Sequence, residues 1–156
     1  MKTEQINAQS TKPNVYTVSV KKPYYIYYAH SISLYNTQQE KNDIKFLKNK
    51  HAKIVNPNGL RLGQDMFQYL YKVKECDAVW YRGNTIGVVF EVLTALSMRK
   101  QVFSLETKRM IGSYELNNLV DIFRNNDYIE HDLSLFQIYF PEYFLKFLRI
   151  LKGDMP

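Results

Sequence analysis

The run Gly87-Val88-Val89-Phe90-Glu91-Val92-Leu93-Thr94-Ala95-Leu96 holds a single charged residue, Glu91, among aliphatic and aromatic neighbours. Burying a carboxylate costs free energy unless it is paired or hydrogen bonded, so an acid in such a setting needs a partner or a chemical task. Position alone leaves two readings open. Glu91 is either an early-helix acid that favours the helix dipole or a reactive group held in an apolar surround.

Two polar loops could bring a ligand to it. The first is His30-Ser31-Ile32-Ser33-Leu34-Tyr35-Asn36, in which His30, Ser31 and Ser33 precede a helix start and suit a phosphate or a ribose hydroxyl. The second is Arg82-Gly83-Asn84-Thr85-Ile86-Gly87, which offers Asn84, Thr85 and Gly87. Its glycines match neither a dinucleotide fingerprint nor a Walker loop. Asp65 either opens its helix or reaches the cleft. Asp77 reads as a strand-leading residue, and Cys76 as a small buried hydrophobe rather than a nucleophile.

These residues need a scaffold, and the pattern around them supplies one. The uncharged block Tyr24-Tyr25-Ile26-Tyr27-Tyr28-Ala29 predicts a strand buried on both faces of a parallel sheet. Thr37-Gln38-Gln39-Glu40 is a capping-box pattern that opens a helix running to about Asn49. Ala52 to Val55 forms a short strand closed by Asn56-Pro57-Asn58-Gly59. An amphipathic helix follows over Gln64 to Val73, then a strand over Asp77 to Tyr81, an apolar helix over Val88 to Arg99, and a fourth strand over Gln101 to Leu105. This alternation predicts an α/β fold: a doubly wound, mainly parallel sheet of four to five strands flanked by helices, Rossmann-like or flavodoxin-like. In such sheets ligands bind beyond the carboxyl ends of the strands, where both polar loops fall. Further on, Glu115 to Phe123 and Glu142 to Leu151 read as helices, while the pattern leaves Asn125 to Tyr139 unassigned.

With 156 residues the chain suits one domain over 23–156, preceded by a polar, flexible arm over 1–22. Hydrophobic residues make up 46% and aromatic residues 15%, enough for a core. One cysteine excludes an internal disulfide, and three scattered histidines give no metal-binding spacing, so neither a metal nor a cofactor is expected. No stretch approaches the ~20 apolar residues of a membrane span, and the start carries no secretory signal, which points to the cytoplasm, the host's in the case of a viral protein. A net charge of +6 favours anionic partners in general. The densest basic run, Lys45, Lys48, Lys50 and Lys53, reads as a solvated face, so nucleic acid is possible but not favoured as a partner. The wealth of Lys, Asn, Ile and Tyr is similar to that of proteins from AT-rich genomes, viruses of microbes included.

Over residues 24–105 the sequence resembles the nucleoside 2-deoxyribosyltransferase family, including its relatives that hydrolyse nucleoside monophosphates. The resemblance is carried by Ile26-Tyr27-Tyr28-Ala29-His30-Ser31, by Val55-Asn56-Pro57, by Cys76-Asp77-Ala78-Val79, and by the spacing of Gly87, Glu91, Ala95, Lys100 and Val102. It implies that Glu91 is a nucleophile that attacks the anomeric carbon of a nucleoside or nucleotide ligand, and that Tyr27 positions it. Transferases carry an acid where Asn84 and Thr85 stand, and Asp65 is the candidate replacement. The resemblance also implies a homodimer, for which the C-terminal aromatics Phe140, Tyr143, Phe144 and Phe147 provide either an interface or core. Two alternatives use the same fold: a glycohydrolase acting on NAD, and a nucleotide-sensing or nucleic-acid-binding protein without turnover.

Overall fold

A computed structural model describes residues 22–60 and 65–153. The expected arm, up to residue 21, and Gln64, the expected start of the second helix, lie outside the described residues. Strand β1 (Tyr25–Ala29) leads through a short 3-10 turn (Ile32–Leu34) into helix α1 (Gln38–Lys48), then β2 (Lys53–Val55), α2 (Met66–Glu75), β3 (Ala78–Tyr81), α3 (Ile86–Ser97) and β4 (Gln101–Ser104). A two-residue strand β5 (Arg109–Met110), α4 (Ser113–Arg124), α5 (Ile129–Tyr139) and α6 (Phe144–Leu151) complete the described chain.

The strands form one sheet in the order β2-β1-β3-β4-β5. All pairings are parallel except that of β4 with β5. This is the doubly wound α/β arrangement: the connection from β1 to β2 leaves in one direction and that from β3 to β4 in the other. The switch in direction falls between β1 and β3, whose carboxyl ends lie side by side at Ala29 and Tyr81.

Strand alternation divides the core in two. Tyr27, Ala29, Val79, Tyr81 and Val102 face a large cluster with α2, α3, α4 and α6, whereas Ile26, Tyr28 and Trp80 face a smaller one with Leu47 of α1. Helix α3 packs on β1, β3 and β4 beneath α4 and α6. It is covered on every side, which explains why its sequence is apolar all round: every residue from Val88 to Ser97 is buried.

Two local expectations are refined. Thr37 caps α1 by accepting the Glu40 N–H at 3.2 Å, but Glu40 reaches back to the Asn36 N–H at 2.9 Å rather than to that of Thr37. The capping box is offset by one residue because Asn36 adopts a left-handed φ of 64° that turns its amide toward the helix. The unassigned segment from Asn125 contains α5, whose apolar residues lack a clean stripe; only Phe136 is buried. Phe140 and Phe147 are fully buried beside it, with Tyr143 and Phe144 packed against the same cluster, so these C-terminal aromatics are core.

Phe136 contacts Phe147 at a ring-centroid distance of 4.5 Å and Phe140 at 5.2 Å. Phe136→Ala should therefore lower stability by about 3–5 kcal/mol, read from the urea midpoint, because the cavity falls among aromatic rings with little freedom to collapse.

Candidate functional site

Beyond the carboxyl ends of β1 and β3 lies a cleft of about 660 Å³. The loop after β1 contributes His30, Ser31, Ile32, Ser33 and Tyr35; the turn after β2 gives Pro57; α2 gives Met66 and Tyr69; and the start of α3 gives Thr85, Gly87, Val88 and Glu91. Of the residues singled out from sequence, Glu91, His30, Ser31, Ser33, Thr85 and Gly87 are thus gathered around one space.

Tyr27 is fully buried beneath it and donates its hydroxyl to Glu91 Oε2 at 2.5 Å. Glu91 itself is 5% exposed. Burial raises its carboxyl to about 8, against the smaller opposing effect of the Tyr27 bond. Burial, with the charge of Glu91 and the shared hydrogen bond, pushes the Tyr27 phenol far above its ordinary range, so it remains a donor. Among the described residues Oε1 of Glu91 accepts no hydrogen bond, which leaves this oxygen for whatever enters the cleft.

The wall opposite is held rigidly. His30 is buried, with its ring stacked on Tyr28 at 3.7 Å, Nδ1 3.0 Å from the Tyr28 carbonyl and Nε2 2.7 Å from Glu40 Oε2. Both ring nitrogens face acceptors, so His30 anchors the loop. Glu40 also takes the Asn36 N–H and the Asn58 side-chain amide at 3.1 Å. Burial alone would raise its carboxyl; the bonds from His30, Asn36 and Asn58 outweigh that and hold it below the ordinary value. Next to it, Asp43 receives Tyr28 Oη at 2.6 Å and a two-point contact from Arg82 at 2.7 and 2.9 Å. There too the bonds overcome the burial penalty, and the Asp43 carboxyl is lowered. Ser31 and Ser33 share a hydrogen bond of 2.7 Å at the rim. Thr85 precedes α3 without using its hydroxyl as a cap, and the space beside Gly87 is free enough that a Cβ there would only touch Met66 Sδ at 4.0 Å.

Other candidates stand apart. Asp65 is exposed and caps α2 through the Phe67 N–H at 3.0 Å, outside the cleft lining. Asn84 is exposed and also outside the lining. Asp77 accepts the Tyr25 N–H at 2.8 Å at the amino end of the sheet. Nearby, Lys100 donates to the Cys76 carbonyl at 2.5 Å. The Cys76 thiol is buried and pushed up to about 12 by burial, which leaves it inert at neutral pH.

Sequence reasoning did not select Tyr69, Met66, Pro57 or Val88 as site residues. Their apolar or aromatic character signals core as readily as lining, and only the folded arrangement distinguishes the two. Tyr35 belonged to a loop already marked by its position after β1.

Among the described residues no cluster of His, Cys, Asp and Glu could hold a metal ion, and no helix is long and apolar enough to cross a membrane. Comparison with known protein families, curated proteins and solved structures finds no match in any of the three.

The raised Glu91 carboxyl has a stability consequence. The folded chain holds this proton more tightly than the unfolded chain, whose glutamate has the ordinary value of 4.5, so stability is complete below that value and falls as pH rises toward about 8. Glu40 and Asp43 act in the opposite sense and lose their contribution only at lower pH, as they protonate. Glu91→Gln should gain on the order of 3 kcal/mol relative to wild type between about pH 5 and 8, measured by urea unfolding across that range.

Proposed function

We propose that this protein breaks the N-glycosidic bond of a nucleoside or nucleotide, passing the sugar to water or to a second base, with Glu91 as the nucleophile. The observation that carries the reading is the Tyr27–Glu91 pair at the floor of the cleft, with one carboxylate oxygen held and the other open to the cleft. A carboxylate attacking the anomeric carbon passes through an oxocarbenium-like transition state to a glycosyl ester. Tyr27 fixes the plane of that carboxylate through Oε2, so the attacking oxygen is oriented before substrate arrives. Apolar surroundings leave the ionised carboxylate poorly solvated and more basic. Ser31, Ser33 and Thr85, with the amides of the first turn of α3, offer hydrogen bonds to sugar hydroxyls or a 5′-phosphate.

A second reading draws on the same carboxyl. With its value raised to about 8, Glu91 is mainly protonated at neutral pH and can donate to a bound base, as a nucleotide-sensing protein without turnover would require.

Chromatography of free base after incubation with nucleosides, nucleoside monophosphates and NAD separates the two, and the identity of the cleaved member gives the substrate class. Wild type should release base, and Glu91→Ala should be at least ~10³-fold slower. No release by folded wild type from any member would support the sensing reading.

The wild-type rate should rise with pH and level off above about 8, because only the carboxylate attacks. Tyr27→Phe removes a bond that favours the ionised form, so its acid limb should move to higher pH. An unmoved limb in the kcat/KM profile would show that Tyr27 does not tune Glu91.

A further inference from the structure

Cleavage of an N-glycosidic bond has a second requirement besides the nucleophile. Most bases leave poorly as anions, so a proton donor near the departing nitrogen lowers the barrier. Glu91 is committed to the sugar, Asp65 and Asn84 lie outside the cleft lining, and both nitrogens of His30 are engaged. Ser31 and Ser33 are bonded to each other.

Tyr35 stands differently. It lines the same cleft as Glu91, is half-buried, and its hydroxyl makes no hydrogen bond to any described residue. A phenol in that position would ordinarily find a partner. The residue is nonetheless fixed in place: its backbone N–H donates to the Ile32 carbonyl at 3.0 Å, its ring lies 5.1 Å from that of His30, and the next residue is clamped by Glu40. A donor on a rigid segment with no partner among the described residues is what a preorganised site needs.

We infer that Tyr35 is a second catalytic residue, the group that hands its proton to the departing base; this rests on the proposed role of Glu91. In the first half-reaction the Glu91 carboxylate forms a bond to the anomeric carbon, the carbon–nitrogen bond breaks with its electron pair passing to the base, and the Tyr35 proton moves to that nitrogen. In the second, water attacks the anomeric carbon, its proton returns to the Tyr35 phenolate, and the ester electrons return to Glu91. With a second base as acceptor, its N–H replaces the water and supplies the same proton. Burial, then the neighbouring Tyr69, Glu91 and Glu40, raises the Tyr35 phenol to about 12, so it carries its proton at neutral pH. Its conjugate phenolate is then basic enough to recover that proton from water or an acceptor base.

The test compares Tyr35→Phe with wild type on a purine nucleoside and on its N7-methyl counterpart, whose base departs neutral and needs no proton. Ribose and deoxyribose forms, each with and without a 5′-phosphate, are included, and thermal melting checks that the variant is folded. The expected result is a loss of about 10²–10³-fold in kcat on the ordinary substrate, with the N7-methyl substrate within about threefold of wild type. Equal losses on both substrates, or none on either, with an active wild type, would overturn the role of Tyr35 while leaving Glu91 in place. A wild type inert on every member, the N7-methyl forms included, and on the full panel of nucleosides, nucleoside monophosphates and NAD would overturn both.

Discussion

The pleat of β1 sends Tyr27 and Tyr28 to opposite faces of the sheet, and the organisation of the site follows from where their hydroxyls end. Tyr27 reaches Glu91 of α3 through the larger core cluster, and Tyr28 reaches Asp43 of α1 through the smaller one. Both tyrosines are fully buried, so each hydroxyl needs a partner, and each partner is an acid that would be costly to bury alone. One strand therefore fixes the register of two helices on two faces. The cleft opens where that strand ends.

The two acids are both nearly inaccessible to solvent, yet their ionisation shifts in opposite directions. Asp43 collects Tyr28, both arms of the Arg82 contact and Gln39, and its charged form is favoured. Glu91 has Tyr27 alone among the described residues, and its neutral form is favoured. The difference lies both in the number of donors and in the deeper desolvation of Glu91. Arg82 belongs to the loop after β3, so its pairing with Asp43 also ties that loop to α1. A fully satisfied carboxylate holds structure, while a half-satisfied one keeps an oxygen for another molecule.

Much of this was legible in the chain. The uncharged block at 24–29 specifies a strand covered on both sides, the Thr37–Glu40 pattern opens α1, and the amphipathic period over Gln64 to Val73 marks α2. Glu91 was conspicuous because its neighbours are apolar. The C-terminal third was harder to read, because α5 buries one residue fully while Ile138 and Tyr139 face outward, and a helix without a stripe gives no periodic signal. The strand β5, two residues long and exposed, has no signal of its own and exists through its pairing with β4.

Sequence by itself determined the alternation of strands and helices, and with it the parallel sheet, because buried strands and amphipathic helices leave their periods in the residue order. It also placed the two polar loops at the carboxyl ends of β1 and β3, since chain direction fixes which end a loop leaves. Only the tertiary structure decided which polar groups meet: that Tyr27 rather than Tyr28 faces Glu91, that His30 is bound up with Glu40, that Asp65 is a cap, and that the Tyr35 hydroxyl has no hydrogen bond among the described residues. Those outcomes depend on the direction of side chains separated by up to 64 residues, as in the Tyr27–Glu91 bond. Composition and spacing carry no record of such distances; packing across the sheet sets them.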